Sequence, residues 1–277
     1  MSVAALPFAA FLVFLEFAAG TQVILLIPQA RGQVSPGFLK MGAVMAFAGA
    51  ALALWTTAAL PAGDEVAGYR LDPSFLGPMR AVMAVFALLS LATLLFVFRE
   101  DGRRGRALNA AASAAALVAL ALAAAVLRLP TWGYPGALLA LVAGAASLGA
   151  VSLGMTLGHW YLVTPRLPEK PLNELTLVLL GCVATQTLVV AINAVLPVRE
   201  VPVSADVAAT SLLANLWFWL RLLVGLLFPL GLAYMAWQSS VVRAMMSATG
   251  LLYIALGAVL AGEIVARALL FTTAKPL

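Results

Sequence analysis

Long apolar runs with almost no charge fill most of this chain. A membrane-crossing helix needs about 20 predominantly apolar residues, and such runs follow one another here, each closed by glycine, proline or charge. Of the 277 residues, 64% are hydrophobic and 10% are charged, whereas soluble domains carry about 25% charged residues. We therefore predict an all-α polytopic membrane protein in a lipid bilayer, with eight spans at about 3–28, 38–60, 76–98, 106–128, 136–163, 173–197, 208–237 and 241–270.

The distribution of lysine and arginine among the loops predicts the orientation, because cytoplasmic loops carry an excess of basic residues. Six basic residues lie on the side of the even-numbered loops. Nine lie on the odd-numbered loops: Arg31, Lys40, Arg99, Arg103, Arg104, Arg106, Arg166, Lys170 and Arg243. We predict a multi-pass protein of the bacterial inner membrane with the odd-numbered loops in the cytoplasm and both termini outside.

A weak internal repeat is visible when the chain is aligned with itself. At a shift of about 137 residues, Pro28 falls on Pro165 and Arg106 falls on Arg243. The alternative is chance, since apolar helices align with one another easily. If the repeat is real, residues 1–130 and 131–277 are two four-helix halves with the same orientation. Such parallel repeats occur in transporters, and their ligands bind where the halves meet.

Several charged residues fall inside the predicted spans, where charge is costly. Glu16 is near the middle of the first span, as a proton acceptor, a ligand contact or a structural hydrogen-bonding group. Arg221 either extends to the outer interface among tryptophans or turns inward to pair with Glu263. Arg267, one turn after Glu263, is a competing partner for that carboxylate.

Amides and small residues supply two further patterns. Gln186 and Asn193 are seven residues apart and share one face of the sixth helix. They either line a cavity or hold the helix to its neighbours, which is the commoner use of amides in membranes. The small-residue runs GAVMAFAGA and GALLALVAGAASLGA predict close helix contacts.

The stretch LGHWYLVTPRLPEKPL holds the single histidine of the chain, His159. Trp160 and Tyr161 follow it and fit an interfacial aromatic belt, and Arg166 fits a cytoplasmic loop. Gln22 is the residue that the repeat aligns with His159. We expect a cytoplasmic interface here, at which His159 is either a structural hydrogen-bonding residue or a point of proton uptake or partner docking.

Several kinds of chemistry are excluded by the composition. The single cysteine, Cys182, cannot form an internal disulfide or a cysteine-based zinc or iron–sulfur site, and one histidine cannot form a bis-histidine haem site. Nucleotide-binding, zinc-protease and nucleophile motifs are absent from the sequence. The net charge of +5 is loop charge rather than a nucleic-acid surface. We therefore expect no metal, no covalent cofactor, no redox centre and no nucleic-acid partner, and we assign no catalytic residue.

Two segments resemble the quinol-interacting membrane anchors of polysulfide reductase and dimethyl sulfoxide reductase. GEIVARALLF, Gly262 to Phe271, is similar to the end of the last helix in such anchors, and FLEFAAGTQVIL is similar to their first helix. The eight spans in two halves also fit. These anchors usually supply a quinone-site histidine within the membrane, whereas His159 lies at a predicted helix end.

The resemblance implies a quinone or quinol bound between helices, with an apolar slot for its tail. It also implies partner subunits with iron–sulfur clusters or haem, which exchange electrons with the quinone. The polar side chains available to a ligand or proton are Glu16, Gln22, Asn215, Arg221, Tyr253 and Glu263. Two other functions remain open from the residues alone: a small proton-coupled transporter, or a structural subunit of a membrane complex.

Overall fold

The computed structural model describes residues 5–61, 63–66, 69–127, 133–164, 167–196 and 212–277. In these ranges eight helices are long and apolar enough to cross a membrane. They are α1 (Leu6–Arg31), α2 (Pro36–Thr56), α3 (Leu76–Phe98), α4 (Gly102–Val126), α5 (Tyr134–Val163), α6 (Lys170–Val195), α7 (Leu216–Val241) and α8 (Met245–Thr273). The predicted number and order of spans agree with this architecture. The predicted boundary at residue 130 and Arg166 lie outside the described residues.

Two helix boundaries differ from the prediction for identifiable reasons. Helix α1 continues past Pro28, although proline lacks a backbone N–H and its ring crowds the carbonyl four residues earlier. Membrane helices tolerate proline because neighbouring groups satisfy the freed backbone. Helix α1 ends at Gly32, which has a φ of 64° and donates its backbone N–H to the Pro28 carbonyl. Helix α7 begins at Leu216 rather than 208, because Asn215 has extended backbone angles and its side chain accepts the Trp217 N–H.

The odd-numbered connections share one face of the bundle. Three ion pairs join different connections there: Arg31 with Glu174 at 3.4 Å, Lys40 with Glu100 at 2.9 Å, and Arg243 with Glu169 at 2.7 Å. On the opposite face a short antiparallel pair of strands, β1 (Glu65–Val66) and β2 (Tyr69–Arg70), lies between α2 and α3. The alternation of the helices is therefore the one that eight successive crossings require.

The helices pack in the same order in each half of the chain. Helices α1 to α4 each contact the next, and α4 packs back against α1; helices α5 to α8 do the same. The halves meet mainly through α1 and α5. These two cross at Gly20, where an added Cβ would lie 1.7 Å from the Ala145 carbonyl oxygen, and at Gly149. Glycine on both helices permits this backbone contact, as the small-residue run in α5 predicted.

Candidate functional site

Four charged side chains from three helices meet in the interior of the bundle. The Arg221 Nη1 atom lies 3.0 Å from Glu263 Oε1. The Arg267 Nη2 atom lies 3.0 Å from Glu263 Oε2 and 3.0 Å from Glu16 Oε1. All four side chains are fully buried, at 0–1% exposure. The pair between Glu263 and Arg221 and the competing pair with Arg267 therefore coexist.

A fifth residue completes this group. Gln186 of α6 is buried and donates a hydrogen bond from Nε2 to Glu263 Oε1. We call Glu16, Gln186, Arg221, Glu263 and Arg267 the charge cluster. With every group ionised, two carboxylates balance two guanidinium groups. Such balance is favourable because an uncompensated buried charge costs several kcal/mol.

The cluster lies near the middle of the bundle's thickness. Glu16 is ten residues from the start of α1 and Glu263 is ten residues from the end of α8, which at 1.5 Å per residue is about 15 Å from each helix end. Arg221 and Arg267 are closer to the helix ends, at five and six residues. Both ends lie on the face of the even-numbered connections, so the guanidinium groups are on that side of the carboxylates.

Glycines make room for the cluster. A Cβ added at Gly144 of α5 would lie 2.8 Å from both Glu16 Oε1 and Glu263 Oε2. Gly225 of α7 packs against Gly262 of α8, where an added Cβ would lie 2.5–2.7 Å from the opposing Cα. Gly225 is in a π-helical turn, Leu223–Leu227, directly after Arg221. Such turns are frequent at functional sites, and this one contains the close contact of Gly225 with Gly262.

The two carboxylates are held unequally. Both oxygens of Glu263 accept hydrogen bonds, from Gln186 and from Arg267. Neither oxygen of Glu16 has a hydrogen-bond partner in the described part of the chain, although Arg267 is within ion-pair distance. The Nε atoms of Arg221 and Arg267 are likewise buried donors with no described acceptor. Unsatisfied donors and an unsatisfied acceptor therefore lie close together, a combination that a polar ligand or internal water would satisfy.

An apolar groove of about 410 Å³ runs along the seam between α5 and α6. Its lining includes Val142, Ala143, Gly181, Cys182 and Thr185. Gly144, the residue after Ala143, contacts the cluster, and Gln186, the residue after Thr185, belongs to it. The groove and the cluster therefore lie on different sides of the contact between α5 and α6, which is made by small side chains.

Three other predicted ligand residues lie elsewhere. Gln22 donates to Asn109 at 2.7 Å and accepts from Ser90 at 3.0 Å, and Asn109 donates to Gln29 at 2.7 Å. This buried amide network joins α1, α3 and α4. Asn215 caps α7, and Tyr253 lies toward the opposite face.

The predicted interface residues take different positions. The Tyr253 hydroxyl and His159 Nδ1 are 3.0 Å apart, which links α5 to α8. Trp160 packs against Gly37 of α2. Tyr161, expected in an aromatic belt, is instead buried and donates to the Pro168 carbonyl. His159 therefore has the structural hydrogen bond that was one of its two predicted roles.

Two cluster residues were not in the predicted ligand set. Gln186 was predicted to share one polar face of the sixth helix with Asn193. Asn193 donates a hydrogen bond to the Pro276 carbonyl at 2.6 Å, so both amides link α6 to other parts of the chain. The Arg267 side chain also reaches Glu16, 251 residues away; its spacing to Glu263 was the signal that could have drawn attention to it.

Among the described residues, no three His, Cys, Asp or Glu side chains are grouped so as to hold a metal ion. Comparison with models of protein families, with curated proteins and with solved structures finds no match to the chain.

Proposed function

We propose that this protein is the membrane subunit of an electron-transfer complex, binding quinone or quinol between its helices and anchoring a redox partner. The charge cluster carries the proposal. Ionisable groups buried in membrane helices are costly, and they mark ligand and proton pathways. Five polar side chains from α1, α6, α7 and α8 are buried together at one place, near the middle of the bundle.

The cluster offers the chemistry that a quinone head needs. Quinone reduction takes up electrons and protons at the carbonyl oxygens, so the site requires hydrogen-bond donors and a group that exchanges protons. Arg221 and Arg267 have N–H groups without a described acceptor, and Glu16 is a carboxylate without a described donor. The electrons pass to or from iron–sulfur clusters or haem in a partner subunit, because one cysteine and one histidine cannot ligate such a centre.

The groove between α5 and α6 is suited to the isoprenoid tail. Small-molecule sites have volumes of about 300–1,000 Å³ and are lined mainly by apolar side chains. The groove falls in this range, and its lining residues Ala143 and Thr185 are next to cluster contacts on both helices. A quinone head that passes between the small residues of α5 and α6 reaches Glu16 and Gln186.

Two finer features of the architecture belong to the same proposal. The shared packing order of α1–α4 and α5–α8 supports two parallel four-helix repeats. The basic residues on the odd-numbered face support a bacterial inner-membrane protein with that face in the cytoplasm. The guanidinium groups of the cluster then lie on the outer side of its carboxylates, and the cluster joins Glu16 of the first half to Arg267 of the second.

A second candidate function is proton-coupled transport. The observation that favours it is the position of the cluster across the two halves, which is where transporters with repeats bind their substrates. Protein reconstituted in liposomes distinguishes the two functions. Dissipation of an imposed pH gradient on addition of a solute supports transport, whereas a subunit of a redox complex leaves the gradient intact.

The quinone content of the purified protein tests the main proposal. We expect quinone, measured after lipid extraction, to be enriched several-fold over its ratio to phospholipid in the source membrane. Gly181 lines the groove, and an added Cβ there meets no atom within 4 Å. Gly181→Leu therefore places a side chain in the groove and should remove the enrichment. Gly257→Leu on α8 is the matched control, also in open space. Quinone at the bulk ratio in the unaltered protein refutes the proposal.

A further inference from the structure

We propose that Glu16 is the proton-binding group of the charge cluster, and that Glu263 is a fixed anion that positions the two arginines. This assignment depends on the proposed function only in that the bound proton would serve quinone chemistry. Proton binding itself is a property of the chain in lipid, with or without quinone. It gives the two buried glutamates, which the sequence presents as equivalent candidates, separate roles.

The first support is the unequal number of contacts. Glu263 accepts hydrogen bonds on both oxygens and lies 3.0 Å from a second guanidinium group, that of Arg221. Glu16 has one ion-pair contact, to the same Arg267 nitrogen that Glu263 already holds, and no hydrogen bond to a described residue. Hydrogen bonds and nearby cations favour the ionised form of a carboxyl group. Glu263 is therefore held as an anion by several groups and Glu16 by one.

The second support is what happens to the arginines when each carboxylate is neutralised. A proton on Glu16 leaves Arg267 bonded to Glu263 at 3.0 Å, so neither guanidinium group loses its last partner. A proton on Glu263 removes the only described carboxylate in contact with Arg221 and one of the two in contact with Arg267. Buried cations without a partner are strongly destabilising. The cluster therefore tolerates a proton on Glu16 better than one on Glu263.

The charged groups around Glu16 come from α7 and α8 alone among the described residues. The charged groups that face it among the described residues are Glu263 and Arg267 of α8 and Arg221 of α7. Helix α5 presents Gly144, which has no side chain, at the Glu16 carboxyl. The step is transfer of a proton from a hydronium ion: an O–H bond of hydronium breaks to leave water, an O–H bond forms at one Glu16 carboxylate oxygen, and the ion pair with Arg267 is lost. The net charge of the cluster rises from zero to +1. Because that pair joins α1 to α8, proton binding also weakens a link between the two halves.

Infrared spectroscopy on quinone-free protein in lipid nanodiscs tests the assignment. We expect the C=O stretching band of a buried carboxylic acid, shifted in D₂O, in the spectrum of the unaltered protein minus that of Glu16→Gln at the same pH. The subtraction cancels the bands of the other carboxyl groups, and the remaining band should grow as the pH is lowered over the range in which both proteins stay folded. Glu16→Asp should keep it at an altered frequency, which guards against loss of the band through misfolding.

Either of two results overturns the assignment: absence of this band from the difference spectrum, or a pH-dependent band of a buried acid that persists in folded Glu16→Gln and is lost in Glu263→Gln. Glu263→Gln provides a further comparison wherever it folds, because the Glu16 band should remain in that variant. Since no quinone is present, failure of this test leaves the quinone measurement standing, and a negative quinone measurement leaves this test standing.

Discussion

Glu263 is the residue on which most of the charge cluster depends. It contacts Arg221, Arg267 and Gln186, whereas Glu16 contacts Arg267 alone among the described charged groups at ion-pair distance. Removing one member of a buried ion pair typically costs about 3–5 kcal/mol, since the other member is left uncompensated. The two glutamates should therefore differ in what their replacement does to stability.

We predict that Glu263→Gln lowers the free energy of unfolding by about 3–5 kcal/mol, and that Glu16→Gln lowers it by less. Unfolding in mixed micelles of mild and denaturing detergent, followed by circular dichroism, gives both values under one condition. Equal losses in the two variants would contradict the unequal roles of the two carboxylates.

Sequence reasoning at this level identified the charged residues and, as alternatives, two of their contacts. These are the pairs of Glu263 with Arg221 and with Arg267, and the structure contains both. The contact of Arg267 with Glu16 was not identified, because it joins the last helix to the first and depends on how the halves pack. The same limit applies to Tyr253 and His159, which are 94 residues apart in sequence and hydrogen-bonded in the fold.

Helices α1 and α5 form the contact on which the relation of the two halves depends. Glycine at Gly20 and Gly149 lets their backbones touch, and there a Cβ on either residue would overlap the other helix, at 1.7 Å and 2.1 Å from its nearest atom. Close backbone approach replaces the hydrophobic effect as the source of helix association in lipid. Helix separation at this crossing would also move Glu16 away from Gly144 and α8.

We predict that Gly20→Ala and Gly149→Ala each lower the melting temperature of the protein in detergent by several degrees, because α1 must move away from α5. Gly250→Ala in α8 is the control, since an added Cβ there meets no atom within 4 Å. Differential scanning fluorimetry provides the measurement. Unchanged melting temperatures in both crossing variants would show that the contact is not as close as described.

The helices themselves were the most predictable part of the fold. Apolar runs determine their number and order, because a helix satisfies its own backbone hydrogen bonds in lipid. Their ends were less predictable: α7 begins where Asn215 caps it, and α1 ends at Gly32 rather than at Pro28. The π-helical turn after Arg221 has no sequence signal beyond Gly225, since it depends on the packing of Gly225 against Gly262.

For the molecule as a whole, the arrangement is two rings of four helices joined through their first members, with a neutralised charge cluster where they meet. The amide network of Gln22, Asn109 and Gln29 ties together the first ring alone. This network consists of hydrogen bonds between helices, and each such bond stabilises a membrane protein by about 0.6 kcal/mol. The cluster differs in that it is charged, spans both rings and contains polar atoms with no hydrogen-bond partner in the described part of the chain.

Binding of a quinone head at the charge cluster is tested most directly by photolabelling in native membranes. The probe is a quinone with a diazirine on its ring, and labelled peptides are mapped by mass spectrometry. We predict adducts on α1 around Glu16 and on α5 around Gly144, which excess unlabelled quinone removes. Adducts confined to lipid-facing residues such as Leu88, and insensitive to competing quinone, would contradict quinone binding at the cluster.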